Sequence, residues 1–252
     1  MDIPPEGSLG LLAYGHRGLV AWRAARGNAW LEDERERYVA LAEKKARKQS
    51  PSAPARKVAE ALASTELIVV SGLPRSGTSM LMQMVVAGGL NAYVDRDRAA
   101  DESNPTGYFE HDRIRSLAQD ASWVPEASGL VAKVVSPLLP HLPRGPRYRV
   151  LVLERSLDEI LRSQRRMLGR LDRPALDDKV LRPAYQRQME AAEAWIQRTP
   201  RTEALVLNHR DILREPAHAA VRIATFLQRE MDTDAMAAAV DPSLHRERVP
   251  KP

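Results

Sequence analysis

Short β-branched apolar runs alternate with longer amphipathic stretches through most of this chain. Leu67-Ile68-Val69-Val70-Ser71, Leu130–Ser136, Tyr148–Glu154 and Ala204–Leu207 are four to seven residues long and rich in Val, Leu and Ile. Runs of that length and composition predict strands buried on both faces. Between and after them apolar residues recur at helical spacing. Met80, Leu81, Met84 and Val85 lead to a stop at Gly88-Gly89. Leu157, Ile160, Leu161, Gln164 and Leu168 share one face, and Leu181, Tyr185, Met189, Ala192, Trp195 and Ile196 share another over roughly 175–198. Pro216 suits a first helical turn, and the helix it opens turns Ala220, Ile223, Phe226 and Leu227 inward. Alternation of this kind predicts an α/β fold: a mostly parallel sheet with helices on both faces.

Two regions depart from the alternation. Residues 1–65 read as helical, with Leu31, Arg35, Tyr38, Leu41, Ala42 and Lys45 on one side. Ser50-Pro51-Ser52-Ala53-Pro54 breaks that helix, and a second one over roughly 54–64 leads into the first strand. The expected organisation is an N-terminal helical extension, 1–65, on an α/β domain, 66–252. The extension either packs on the core or joins subunits into a homo-oligomer, with Trp22 and Trp30 as anchors. The second region, 90–128, lacks clean periodicity. Asn104-Pro105-Thr106-Gly107 marks a turn in its middle, and 111–120 is expected to be helical with Ile114 and Leu117 inward. Long irregular stretches in compact domains often carry function.

Composition narrows the possibilities. A chain of 252 residues with 44% hydrophobic and 28% charged residues has the makings of a globular domain with a sizeable core. No apolar run reaches membrane-spanning length. Met1–Glu6 lacks the basic start of a secretory signal and there is no Cys, so a cytoplasmic protein is expected, without disulfides or thiolate metal sites. The net charge of +5 raises the question of nucleic acid, but aromatic residues make up only 5%, too few for a base-stacking platform. A small polyanion accounts for the excess more economically.

The candidate chemistry begins where the first strand ends. Gly72-Leu73-Pro74-Arg75-Ser76-Gly77-Thr78-Ser79 joins a strand to a helix, and such a loop forms an anion cradle from backbone N–H groups that have no intrahelical partner. The spacing Gly72-x4-Gly77 is that of a nucleotide-binding P-loop, yet Thr78 stands where an NTPase has Lys. The nearest cation is Arg75, inside the loop. Phosphate-like oxygens are the expected ligand, without the magnesium-assisted grip on a triphosphate.

This stretch resembles the 5′-phosphosulfate loop of the sulfotransferases, which use 3′-phosphoadenosine 5′-phosphosulfate (PAPS) as donor; its Pro-Arg-Ser-Gly-Thr form looks more like the bacterial and Golgi branches than the cytosolic phenol-type enzymes. The resemblance continues at Arg155 and Ser163, eight residues apart at a strand end and on the following helix, which in that family bind the donor's 3′-phosphate. A forked cation with a hydroxyl is sound chemistry for a dianion. Asn208-His209-Arg210-Asp211-Ile212-Leu213 is similar to the family's Tyr-Glu-Asp-Leu segment, with Arg210 in place of the usual Glu. The tail resembles bacterial members too, and implies that Arg246 or Arg248 closes over the nucleotide.

The resemblance implies metal-independent, in-line sulfuryl transfer to a hydroxyl, or an amine, of a small-molecule, glycan or lipid acceptor. Arg75 is assigned to the bridging oxygen and the 5′-phosphate; Ser76, Gly77, Thr78 and Ser79 hold the phosphosulfate. Lys133, read as lying within its strand, is the second cation. It resembles the Lys of the family's Lys-Thr-His segment, but Val135 occupies the place of the basic His. Glu110 is the first replacement as base and His111 the second, because general base catalysis needs a proton acceptor within reach of the acceptor group. The six His residues are scattered and offer no metal cluster. The alternatives are a P-loop small-molecule kinase and a non-catalytic nucleotide-binding module.

Overall fold

The computed structural model describes residues 53–95, 109, 111–170 and 177–241. The chain separates into two compact units, Met1–Lys57 and Val58–Pro252, and the described fold belongs almost entirely to the second. The helix expected around 31–45, Trp22, Trp30, Glu110, Arg246 and Arg248 lie outside the described residues.

Among the described residues four strands form one parallel sheet: β1 (Glu66–Gly72), β2 (Val131–Lys133), β3 (Arg147–Glu154) and β4 (Thr202–Asn208). Their order across the sheet is β2-β1-β3-β4. Helix α1 (Ala53–Ser64) precedes β1, and α2 (Thr78–Ala87) follows it. The one-turn α3 (Asp112–Arg115) comes before β2, and a 3-10 helix, Ser136–His141, after it. Two helices, α4 (Leu157–Arg170) and α5 (Asp178–Arg198), connect β3 to β4, and α6 (His209–Arg214), α7 (Pro216–Leu227) and α8 (Thr233–Ala238) complete the described chain.

The alternating faces of β1 explain the two main layers of core. Ile68 and Val70 pack with Leu81, Met84, Val85, Leu151, Ile223 and Leu227 on one side. Leu67 and Val69 pack with Trp123, Val124, Val134, Tyr148 and Val150 on the other. Every one of these side chains is at most 1% exposed, which is what a strand apolar on both faces requires. Arg149 is the exception inside β3. It is 5% exposed, and its guanidinium donates to Glu66 Oε1 at 3.3 Å, the Phe226 carbonyl at 2.7 Å and Gln228 Oε1 at 3.1 Å. A buried charge persists because its donors are satisfied.

Three expectations change. The strand expected over 130–136 stops at Lys133, where the chain turns into the 3-10 helix that Pro137 opens; Lys133 therefore ends its strand, at the carboxyl edge. The run 204–207 is not buried: only Leu207 is, while Val206 is 49% exposed, because β4 lies outermost among the described strands and has one neighbour. Of the helix expected over 111–120 only Asp112–Arg115 is α-helical; Ile114 and Leu117 do face inward.

The central position of β3 and the outer one of β4 lead to different mutational costs. Leu151→Ala, at a fully buried site, is expected to lower the unfolding free energy by about 2–5 kcal/mol. Val206→Ala should stay within about 1 kcal/mol of wild type. Urea denaturation of both variants checks the contrast.

Candidate functional site

The connections that leave β1 and β3 run in opposite directions across the sheet. From β1 the chain passes to β2 on one side; from β3 it passes to β4 on the other. Ligands of open α/β sheets bind in the crevice beyond the carboxyl ends where adjacent strands part in this way. Gly72 and Leu153 are register partners at that point. A Cβ on Gly72 would lie 2.7 Å from the Leu153 carbonyl and 2.5 Å from Ser76 Oγ, so only glycine lets the loop turn this close to β3.

The loop after Gly72 closes on itself. Ser76 N–H donates to the Leu73 carbonyl at 3.0 Å, Pro74 takes the second position of the turn, and Arg75 the third with φ +70°. That is the arrangement of a type II turn, whose third position demands positive φ and usually carries glycine. Holding Arg75 there costs of order 1–3 kcal/mol, a strain that needs support from the surroundings. The support is visible. Leu73 is buried with Ile160 and Leu161 of α4 and Tyr185 of α5. Ser163, one turn beyond Ile160 and 8% exposed, accepts a hydrogen bond from Arg75 Nε at 3.1 Å. Arg155, just past β3, donates from Nη1 to the Arg75 carbonyl at 3.2 Å and from Nε to Glu159 Oε2 at 2.9 Å. The residues expected at the two ends of one ligand, Arg75 and the Arg155–Ser163 pair, are thus in direct contact.

Gly77 closes the loop with φ +100° and stands at the N-terminus of α2, where no side chain caps the helix. Its missing Cβ leaves room for His209, whose Cδ2 would otherwise be 2.7 Å away. Lys133, on the far side of β1, is 7% exposed and donates from Nζ to Ser79 Oγ at 3.2 Å. Ser79 lies in the first turn of α2, so Lys133 stands beside the helix start that closes the loop. Thr78 is 5% exposed and Ser76 wholly buried; the Ser76 hydroxyl has no hydrogen-bond partner among the described residues, and its N–H serves the turn.

His111 caps α3. Its Nδ1 accepts from the Arg113 N–H at 3.2 Å, and its Nε2 lies 3.1 Å from Asp95 Oδ1. The ring stacks on Tyr93 with centroids 4.2 Å apart, and Tyr93 stacks in turn on Trp123 at 5.2 Å. Both imidazole nitrogens are engaged in holding the start of β2's approach segment. Partial burial pushes the Tyr93 phenol above its ordinary pKa.

Two participants were not legible as such. Glu159 reads in the sequence as the fourth residue of a Ser156-x-x-Glu159 capping box, and Arg210 as a mere departure from a family pattern. In the fold Glu159 is fully buried, with Arg155 on one carboxylate oxygen and Arg210 on the other, the latter at 2.9 Å from Nε and 2.5 Å from Nη2. The spacing Arg155-x3-Glu159 was the available signal for the first contact. Nothing local marks the second, which joins residues 51 positions apart. Among the described residues no group of three or more His, Cys, Asp or Glu is placed to hold a metal ion. No helix among them is long and apolar enough to cross a membrane.

Comparison with solved structures finds a sulfotransferase domain from the curacin biosynthetic pathway at 13% identity and TM-score 0.45, covering 75% of this chain and 93% of that one. A sulfotransferase from Alicyclobacillus acidocaldarius matches at 14% identity and TM-score 0.42, covering 70% of this chain and 87% of that one. No protein-family model matches the sequence, and no curated protein does.

The strained turn has a measurable signature. Arg75→Gly relieves the left-handed conformation and Arg75→Ala does not, so the Gly variant is expected to unfold at higher urea concentration than the Ala variant, by about 1 kcal/mol. The reverse order would remove backbone strain from the account of this loop.

Proposed function

We propose that the chain is a PAPS-dependent sulfotransferase, acting on a hydroxyl or amine of a small-molecule, glycan or lipid acceptor. The single observation that carries this reading is the Arg75–Ser163 contact, with Arg155 bonded to the Arg75 carbonyl. It joins a lysine-less glycine loop to an arginine–serine pair at the parting of β1 and β3. Two anion-binding elements side by side suit one ligand that carries phosphates on the 3′ and 5′ oxygens of a single ribose, better than a linear triphosphate.

In this proposal the open N–H groups at the start of α2, with Thr78 and Ser79, hold the phosphosulfate. Arg75 and Lys133 bear on the oxygen that bridges sulfur and the 5′-phosphate. As the acceptor oxygen bonds to sulfur and the bridging bond breaks, negative charge grows on that oxygen, and preorganised cations lower the barrier. Ser163 and Arg155 take the 3′-phosphate, and Arg246 closes over the nucleotide. Both Arg155 and Arg75 are already oriented by protein partners, so little ordering remains to be done on binding.

We assign the base to Glu110, which would take the proton from the acceptor. His111 is assigned to positioning, because its Nδ1 receives a backbone N–H and its Nε2 faces Asp95. Lys133 at the end of β2 sets its ammonium beside Ser79, and Val135 stands where the resemblance has the basic histidine.

Calorimetry separates this function from the kinase alternative. Adenosine 3′,5′-bisphosphate is expected to bind without magnesium, and tight magnesium-dependent binding of ATP with none of the bisphosphate would end the proposal. Arg155→Ala should weaken bisphosphate binding by about 1.5–3 kcal/mol, the worth of a charged hydrogen bond. Glu110→Gln is expected to slow donor-dependent transfer by about 10²–10⁴-fold with binding retained. His111→Ala should instead show a loss of stability of about 1 kcal/mol, that of a helix cap. Unimpaired turnover in Glu110→Gln would remove that residue from the mechanism.

A further inference from the structure

One carboxylate joins two described segments that fifteen residues, 96–110, separate in the chain. Asp95 Oδ2 accepts the Asp112 N–H at 2.5 Å, and Asp95 Oδ1 faces His111 Nε2 at 3.1 Å. His111 Nδ1 accepts the Arg113 N–H at 3.2 Å, so the imidazole carries its proton on Nε2 and donates it to Asp95. Tyr93 completes the grip. Its ring lies within 4° of parallel to the imidazole, and its hydroxyl accepts from Arg113 Nη1 at 3.4 Å. Tyr93 and Asp95 together hold three consecutive residues, His111, Asp112 and Arg113.

The grip is tied to the sheet. Val131 of β2 donates its N–H to the Asn91 carbonyl and accepts the Tyr93 N–H, both at 2.9 Å, and Ala92 bridges Val131 in parallel. Residues 91–93 therefore run beside β2 toward the edge where Lys133 ends that strand. Helix α3 has only four residues, too few to fix its own direction, so its placement comes from Asp95, Tyr93 and the His111 cap. On the other side of Glu110 in the chain, Phe109 has φ +49°, which is uncommon for an aromatic residue. Phe109 packs on the core layer of Leu81 and Val85, and Tyr93 on the opposite layer with Trp123. The two chain neighbours of Glu110 are thus held from different sides of the core. A strained backbone persists only where its surroundings over-determine it, and such residues cluster where placement matters.

We infer that Asp95 is a positioning residue for sulfuryl transfer: through His111 and the Asp112 N–H it fixes the segment that carries the base, Glu110. The inference rests on the donor and base assignments made above. A carboxylate suits the task because it has two acceptor oxygens, and two consecutive residues each present it with a donor. An amide at the same position accepts only one of those bonds.

The test uses water as acceptor, so the natural acceptor need not be known. The water oxygen bonds to sulfur, the bond to the bridging oxygen breaks, Glu110 takes the proton, and sulfate and adenosine 3′,5′-bisphosphate leave. Sulfate release at saturating PAPS and the dissociation constant of the bisphosphate are measured for the full chain, Asp95→Asn, Glu110→Gln and the double variant. Asp95→Asn is expected to slow release about tenfold or more, with bisphosphate affinity within about twofold of wild type. In the Glu110→Gln background the same substitution should change the rate by less than about twofold, because no base is left to misplace. His111→Asn keeps an acceptor for the Arg113 N–H but loses the bond to Asp95; it should slow release as Asp95→Asn does, and it decides the matter if Asp95→Asn does not fold. Unchanged release, equal slowing in both backgrounds, or weakened bisphosphate binding overturns the inference while the base assignment stands. Undiminished release in Glu110→Gln removes the base assignment, and wild-type protein that does not bind the bisphosphate removes the donor assignment; the inference falls with either.

Discussion

The carboxyl ends of β1 and β3 are tied together through the backbone of one strained residue. Arg75 sits at the positive-φ corner of the glycine loop, gives its guanidinium to Ser163 and offers its carbonyl to Arg155. The loop, the end of β3 and the second turn of α4 meet on this residue. Glycine would make the turn at less cost, but it would leave Ser163 without a donor and the loop without its cation. The strain is tolerated because Leu73 is locked among Ile160, Leu161 and Tyr185, so the turn cannot relax without opening an apolar cluster.

Strand β3 is braced at both ends by buried arginine. At the amino end Arg149 ties Glu66 of β1 to the Phe226 carbonyl and Gln228 at the end of α7. At the carboxyl end Arg155 ties the glycine loop to Glu159 of α4. The two differ in their surroundings. Arg149 is consumed by structural partners away from the crevice, whereas Arg155 lies beside a second guanidinium that reaches solvent. Similar chemistry thus serves architecture at one end of the strand and, in the proposed function, ligand capture at the other. The apolar sheet between them keeps the two ends in fixed register.

On the opposite flank, β2 is short because the chain needs to turn. Three residues bring Lys133 to the edge beside Ser79, and the 3-10 helix then carries the chain away. The aromatic stack of Trp123, Tyr93 and His111 fills the layer before β2 and fixes the imidazole as a cap. A histidine beside a candidate base therefore has a structural occupation, and that is why Glu110 takes the catalytic assignment in the proposal.

Much of the framework was written locally in the sequence. Strand positions followed from apolar runs, the glycine loop from its spacing, and the inward side of α7 from helical periodicity that began at Pro216. These signals survive in isolation because they reflect backbone geometry and burial, which neighbouring residues determine. Boundaries that depend on distant partners did not: β4 read as buried until the sheet order placed it outermost among the described strands, and Lys133 read as mid-strand until β2 was seen to end there. The roles of Glu159 and Arg210 belong to tertiary structure alone. A carboxylate four residues after Arg155 looks like a helix start, and an arginine after β4 looks like surface charge, until parallel pairing of β3 and β4 brings their ends together. What a residue type does with its charge is set by what the fold puts across from it, and no local pattern encodes that.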